Sequence, residues 1–125
     1  MKHLVIGMGS IGKRHYRLLQ EAGEGVVGID KPSVNPETMY IPSYNDFDMV
    51  WICTPTKIHY KYVERAILNN VKNIFIEKPI TNNSTQFEII KNLSGKRVDG
   101  YQPKIWAACN YRFHPAVKVL KDNLD

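Results

Sequence analysis

Apolar residues fall in short unbroken runs, and between the runs they recur every three or four positions. "KHLVIG" (Lys2 to Gly7) reads as a buried strand. Ile11, His15, Leu18, Leu19 and Ala22 then repeat at helical spacing as far as Gly23, a residue suited to a helix C-terminus. "GVVGID" (Gly25 to Asp30) predicts a second strand. The segment Lys31 to Glu37 carries Pro32 and Pro36, and only a short extended piece over Met39 to Ile41 fits after it, so the second crossover is shortened. "DMVWIC" (Asp48 to Cys53) predicts a fourth strand, and Ile58, Tyr62, Val63, Ala66 and Ile67 form one face of the helix that follows. A fifth strand spans Val71 to Ile76, and a helix covers Asn83 to Leu93 with Thr85 and Glu88 at capping-box spacing. Lys104 to Cys109 is a sixth strand, and Pro115 opens a last helix. Strands separated by helical crossovers must pair in parallel, which predicts a doubly wound α/β fold in three layers.

Composition fits this picture. With 125 residues, 43% of them hydrophobic and 23% charged, the chain suits one domain over 1–125 with a modest core. No apolar run is long enough to span a bilayer and the N-terminus does not read as a signal peptide, so no membrane association and a cytoplasmic location are expected. Cys53 and Cys109 each sit in an apolar run and are expected to be buried free thiols, and no His, Cys, Asp or Glu spacing suggests a metal site. The net charge of +5 is spread over scattered lysines and arginines without a basic run, which argues for a solvated surface and against a nucleic-acid partner.

The candidate chemistry begins at the first strand-to-helix junction. Gly7, Gly9 and Gly12 spell G-x-G-x-x-G in the context that gives this spacing meaning. Gly7 permits the tight turn, Gly9 lets a pyrophosphate approach the backbone, and Gly12 lets helix and strand pack closely. The helix N-terminus at Ser10 and Ile11 offers unpaired N–H groups to phosphate oxygens. Asp30, at the end of the second strand and about 18 residues beyond Gly12, stands where a carboxylate receives the adenosine ribose hydroxyls. A nicotinamide dinucleotide is the expected ligand, and Asp30 favours NAD with NADP as the alternative, since Lys31 beside it could grip a 2′-phosphate. The same turn also occurs in methyltransferases and in purely structural α/β domains.

Three downstream segments lie at the C-terminal ends of strands: "CTPTKIH" (Cys53 to His59), "EKP" (Glu77 to Pro79) and "CNYRFHP" (Cys109 to Pro115). Together with G-x-G-x-x-G-x-x-H (Gly7 to His15), they resemble the cofactor domain of the glucose-fructose oxidoreductase, inositol dehydrogenase and rhizopine catabolism family, Gfo/Idh/MocA, across essentially the whole chain. The resemblance implies that Thr54, Pro55 and Thr56 line the cofactor near its ribose and nicotinamide, with His59 close by. It implies that Glu77 meets the nicotinamide ribose and that Lys78 is the catalytic lysine beside the reacting carbon, favouring negative charge on the substrate oxygen. Arg112 and His114 match the loop facing the cofactor and a second domain. Each has a plainer reading: Thr54 to Thr56 as a turn, His59 as a helix cap, Lys78 and Glu77 as a solvated pair. His3 and His15 read as structural.

In the family a second α/β domain supplies a substrate pocket and a D-x-x-x-H motif whose histidine handles the proton. That domain is expected to be absent here, and "HPAVKVLKDNLD" is expected to run on as a helix without a cap or glycine, as in a fragment. Two functions follow from the resemblance. One is the cofactor domain of an oxidoreductase passing hydride between NAD(P) and a sugar, cyclitol or nucleotide sugar, inactive alone. The other is a stand-alone, non-catalytic dinucleotide-binding module. Apolar surface left by a missing domain would favour a homo-oligomer.

Overall fold

The computed structural model describes residues 1–30, 40–95 and 99–124. Among them are five strands, β1 (Lys2–Ile6), β2 (Gly25–Ile29), β3 (Met49–Ile52), β4 (Asn73–Ile76) and β5 (Lys104–Ala107). Four helices accompany them: α1 (Ser10–Glu21), α2 (Thr56–Leu68), α3 (Ser84–Leu93) and α4 (Pro115–Asp122). Short 3₁₀ turns occupy Tyr44–Asp46 and Asn110–Phe113. All strand pairs are parallel and the order is β2-β1-β3-β4-β5, so the chain steps one way from β1 to β2 and returns to the other side of β1 for β3. The doubly wound Rossmann-like α/β architecture read from the sequence is the one found.

The two faces of the sheet differ in cover. In register across β1, β3, β4 and β5 run Leu4, Val50, Ile74 and Ile105, then Ile6, Ile52, Ile76 and Ala107. The first three residues of each row are fully buried, in one cluster with Ile58, Tyr62, Val63, Ala66 and Ile67 of α2 and Ile90 of α3. The helical period in α2 and the strand period in β3 and β4 therefore aim at the same space, and burial of this apolar surface is the main force holding the layers together. The opposite face carries Val5, Trp51, Phe75 and Trp106 in one row, beneath α1 at the β1 and β3 side. Toward β5 that cover ends, and Trp106 is 55% exposed.

Local chemistry sets the boundaries. After α1, Gly23 takes φ +77°, and its N–H and that of Glu24 close on the carbonyls of Gln20 and Leu19, the helix stop expected for glycine. Asn70 does the same after α2 with φ 57°, a role asparagine tolerates better than most residues. Helix α3 starts from Asn83, whose side chain accepts from the Gln86 N–H, while Gln86 Oε1 accepts from the Asn82 N–H. The reciprocal cap is thus at Asn83 and Gln86, not at Thr85 and Glu88, which already lie inside the helix.

Four further expectations need correction or restriction. Of the short extended piece expected over Met39 to Ile41, Met39 lies outside the described residues, while Tyr40 and Ile41 are not in a strand, and Ile41 packs on the core. The shortened crossover over Lys31 to Glu37 lies outside the described residues. Cys109 is exposed rather than buried, because β5 ends at Ala107 and the chain turns away from the sheet; Cys53 is buried. Helix α4 does carry caps: His114 Nδ1 accepts from the Ala116 N–H, and Asn123 donates from its backbone and side chain to Leu120 and Val119 carbonyls.

Candidate dinucleotide site

The reversal of direction between β1 and β3 opens a crevice at the C-terminal ends of these strands, the place where open α/β sheets take ligands. Gly7 leaves β1 with φ +96°, and a Cβ there would stand 2.6 Å from the Cys53 carbonyl oxygen. At Gly12, one turn into α1, a Cβ would stand 1.8 Å from the Gly7 carbonyl oxygen. Both glycines are therefore required by the chain's own packing. Gly9 differs: φ is −71°, an ordinary value, and among the described residues nothing lies within 4 Å of where its Cβ would be. Among the described residues, neither strain nor an internal neighbour calls for glycine at this position, the N-cap of α1. The start of this helix has no side-chain cap and no acidic residue in its first turn, so among the described residues the N–H groups around Ser10 and Ile11 meet no capping side chain there.

Around this turn the other strand ends converge. The Gly7 N–H donates to the Ile29 carbonyl at 2.9 Å, which brings the end of β2, and with it the exposed Asp30, alongside the glycine turn. From β3, Cys53 and Thr54 are the atoms that Gly7 and Gly12 make room for. Thr54 is buried and its Oγ1 has no hydrogen-bond partner among the described residues, exposed Pro55 occupies the N-cap position of α2, and half-buried Thr56 is the first helical residue. Burial, with the nearby Glu77 carboxylate adding to it, pushes the Cys53 thiol up to about 12, so it is held protonated and inert.

His59 is almost fully buried at 1% exposure, with Nε2 2.6 Å from the Thr54 carbonyl oxygen and Nδ1 2.9 Å from that of Pro79. This one ring links the Thr54 loop to the turn after β4, and the plainer reading of a helix cap gives way to a bridge between two loops. Glu77 follows β4 at 8% exposure, with Oε1 2.8 Å from His15 Nε2 and Oε2 accepting from the Lys78 N–H at 3.3 Å. Lys78 is exposed beside it and joined to Pro79 by a cis peptide bond. Arg112 is placed apart, in the 3₁₀ turn after β5, its guanidinium 5.2 Å from the Phe113 ring centroid. With Phe113, Met49, Phe75 and Trp106 it lines a groove of about 540 Å³ on the sheet face that carries Trp51. Among the described residues no group of His, Cys, Asp and Glu is arranged to hold a metal ion, and no helix is long and apolar enough to cross a membrane.

Sequence reasoning missed the contact of His15 with Glu77 and the packing at Gly28. His15 and Glu77 are 62 residues apart and meet only because α1 lies across β3. Gly28 has a signal that was there to be read, a glycine inside a strand: a Cβ there would press 2.8 Å from the Met8 sulfur and 3.2 Å from the Tyr16 ring.

A parallel sheet wound in both directions, with a glycine turn and a bare helix N-terminus at its reversal point, defines the class of Rossmann-type nucleotide-binding domains. Within that class, residues 1–98 match the Gfo/Idh/MocA oxidoreductase family, NAD-binding Rossmann fold, and the chain belongs to that family. Among solved structures it is similar to UDP-N-acetylglucosamine 3-dehydrogenase GnnA from Acidithiobacillus ferrooxidans, with 23% identity, a TM-score of 0.74, and 98% of this chain against 41% of that one covered. It is also similar to the WlbA dehydrogenase from Thermus thermophilus in complex with NAD and alpha-ketoglutarate, with 21% identity, a TM-score of 0.77, and coverage of 99% and 46%. For the WlbA dehydrogenase from Bordetella pertussis in complex with NADH and UDP-GlcNAcA, the values are 15%, 0.76, and 98% and 41%. The chain thus spans less than half the length of these structures. No curated protein matches it.

Proposed function

We propose that this chain binds a nicotinamide dinucleotide, NAD in preference to NADP, as the cofactor domain of an oxidoreductase acting on a sugar, cyclitol or nucleotide sugar. The observation that carries the reading is Gly9, a glycine that the conformation and packing of the described residues do not need, beside a helix start whose N–H groups no described side chain caps. A pyrophosphate fits both features, because it needs backbone approach at the one and donors at the other. Ser10 and Ile11 would receive it, Asp30 the adenosine ribose, and Thr54, Pro55 and Thr56 the nicotinamide half. When bound, the nicotinamide supplies a hydride acceptor or donor. Glu77 orients the ribose side of the cleft, and exposed Lys78 holds its ammonium where negative charge grows on a substrate oxygen. His59 acts from behind, through the two carbonyls it bridges. The nucleotide-sugar class takes support from GnnA, a UDP-N-acetylglucosamine 3-dehydrogenase, and from the Bordetella pertussis WlbA dehydrogenase, solved in complex with NADH and UDP-GlcNAcA. Two free cysteines suit a reducing compartment, in keeping with a cytoplasmic location.

Paired glycine variants test the reading. Gly9→Val should fold like the parent, by circular dichroism and thermal midpoint, yet lose NADH binding by at least about tenfold, or 1.4 kcal/mol. Gly12→Ala should lose stability itself, because its Cβ collides with the Gly7 carbonyl. Full NADH affinity in Gly9→Val would overturn the assignment. For cofactor choice, Asp30→Ala should shift the ratio of affinities toward NADP, since a carboxylate repels a 2′-phosphate. Equal or tighter NADP binding by the parent chain would contradict the preference.

A further inference from the structure

We infer that His15 is a positioning residue, which sets the Glu77 carboxylate and, through it, the backbone of Lys78 at the nicotinamide end of the site. The functional meaning rests on the dinucleotide reading above; the geometry does not. Helix α1 begins at the phosphate end, and the Gly12 contact with Gly7 fixes how closely it lies on the sheet. His15, three residues after Gly12, shares that inward face. Its ring is packed against Trp51, with centroids 5.1 Å apart, and meets Phe75 nearly edge-on at 5.3 Å, while Trp51 and Phe75 contact each other at 4.5 Å. These contacts leave Nε2 directed at Glu77 Oε1 across 2.8 Å.

Glu77 needs that donor. At 8% exposure its carboxylate is largely out of water, and a buried carboxylate oxygen without a donor costs more than the hydrogen bond itself contributes. A carboxylate only accepts, so Nε2 of His15 carries the proton of this bond. The other oxygen takes the Lys78 N–H across 3.3 Å, a longer contact that depends on where the carboxylate is held. Without the imidazole the carboxylate must seek donors elsewhere, and rotation about the Glu77 side chain releases the Lys78 amide. His15 thus joins the helix that meets the phosphates to the turn that carries the lysine.

The test uses two variants and two readouts. His15→Phe keeps an aromatic ring on Trp51 and Phe75 without the N–H donor, and His15→Gln returns an N–H donor at comparable reach. In cofactor-free protein, the Lys78 amide cross-peak in a ¹H–¹⁵N spectrum should move in His15→Phe and return toward its parent position in His15→Gln. NADH affinity should fall at least about fivefold in His15→Phe and recover in His15→Gln. A Lys78 peak that stays in place in His15→Phe, or moves equally in both variants, overturns the inference. Failure of the parent chain to bind NADH defeats the dinucleotide reading alone, because the amide readout needs no cofactor. Should His15→Phe not fold, the ¹⁵N spectrum of the parent imidazole decides: a ring protonated at Nε2 supports the inference, and one protonated only at Nδ1 contradicts it.

Discussion

The three glycines of the first turn have three different causes, and only one of them points outside the chain. Gly7 answers to a positive φ and to Cys53, Gly12 to the Gly7 carbonyl, and Gly9 to open space. Spacing alone could not separate them, since the same letters would suit a turn that holds nothing. Cys53 shows what the glycine packing does to its neighbours. An unfolded thiol titrates near 9 and this one is pushed up to about 12, so between those values the unfolded chain gives up a proton that the folded chain keeps. The stabilisation is complete below pH 9 and is lost as the pH rises toward 12. Urea midpoints measured from pH 8 to 10.5 should therefore fall more steeply for the parent than for Cys53→Ala, and equal slopes would refute this. A disulfide reagent at pH 8 should label Cys109 in the native protein and both thiols only after unfolding.

Elements with a strong apolar period were readable in advance, and those set by a few polar atoms were not. Strands β1, β3 and β4 and helix α2 match the sequence reading because their buried residues meet in one cluster. The start of α3 does not: Thr85 suggests a later cap, but the side chain that takes the free N–H is that of Asn83, a matter of backbone angle rather than residue type. Of the candidate site, the glycine turn, Asp30 and the two loops after β3 and β4 could be placed from the sequence. The His15 contact with Glu77 and the inward turn of His59 could not, because both depend on tertiary packing. The two sheet faces should respond differently to truncation. Ile74→Ala, fully buried, should cost about 2–5 kcal/mol in chemical unfolding, whereas Trp106→Ala, 55% exposed, should cost less than about 1 kcal/mol. Similar losses at both positions would mean that the Trp106 face is covered in solution, as a self-associating chain would require.

At the scale of the whole molecule, the chain supplies a crevice at its strand ends with Lys78 exposed after β4, over a length that is 41% of the GnnA structure and 46% of the Thermus thermophilus WlbA structure. A preparation limited to these 125 residues is expected to bind cofactor without turnover, because the proton-handling histidine that the family resemblance implies belongs to a second domain. Losing general acid–base catalysis costs about 10²–10⁴-fold before any loss of positioning. Reduction of NAD followed over a panel of sugars, cyclitols and nucleotide sugars should stay at background, and robust turnover would place the acid or base within these residues, with His59 and His114 the first to be substituted. Calorimetric titration of NADH into the folded parent chain tests the dinucleotide assignment most directly. A saturable, one-to-one heat that ADP-ribose competes away is the predicted result, because the proposed site assigns the pyrophosphate and adenosine half to Gly9, the α1 N-terminus and Asp30. Demonstrably folded protein that takes up neither NADH nor NADPH at millimolar concentration would contradict it.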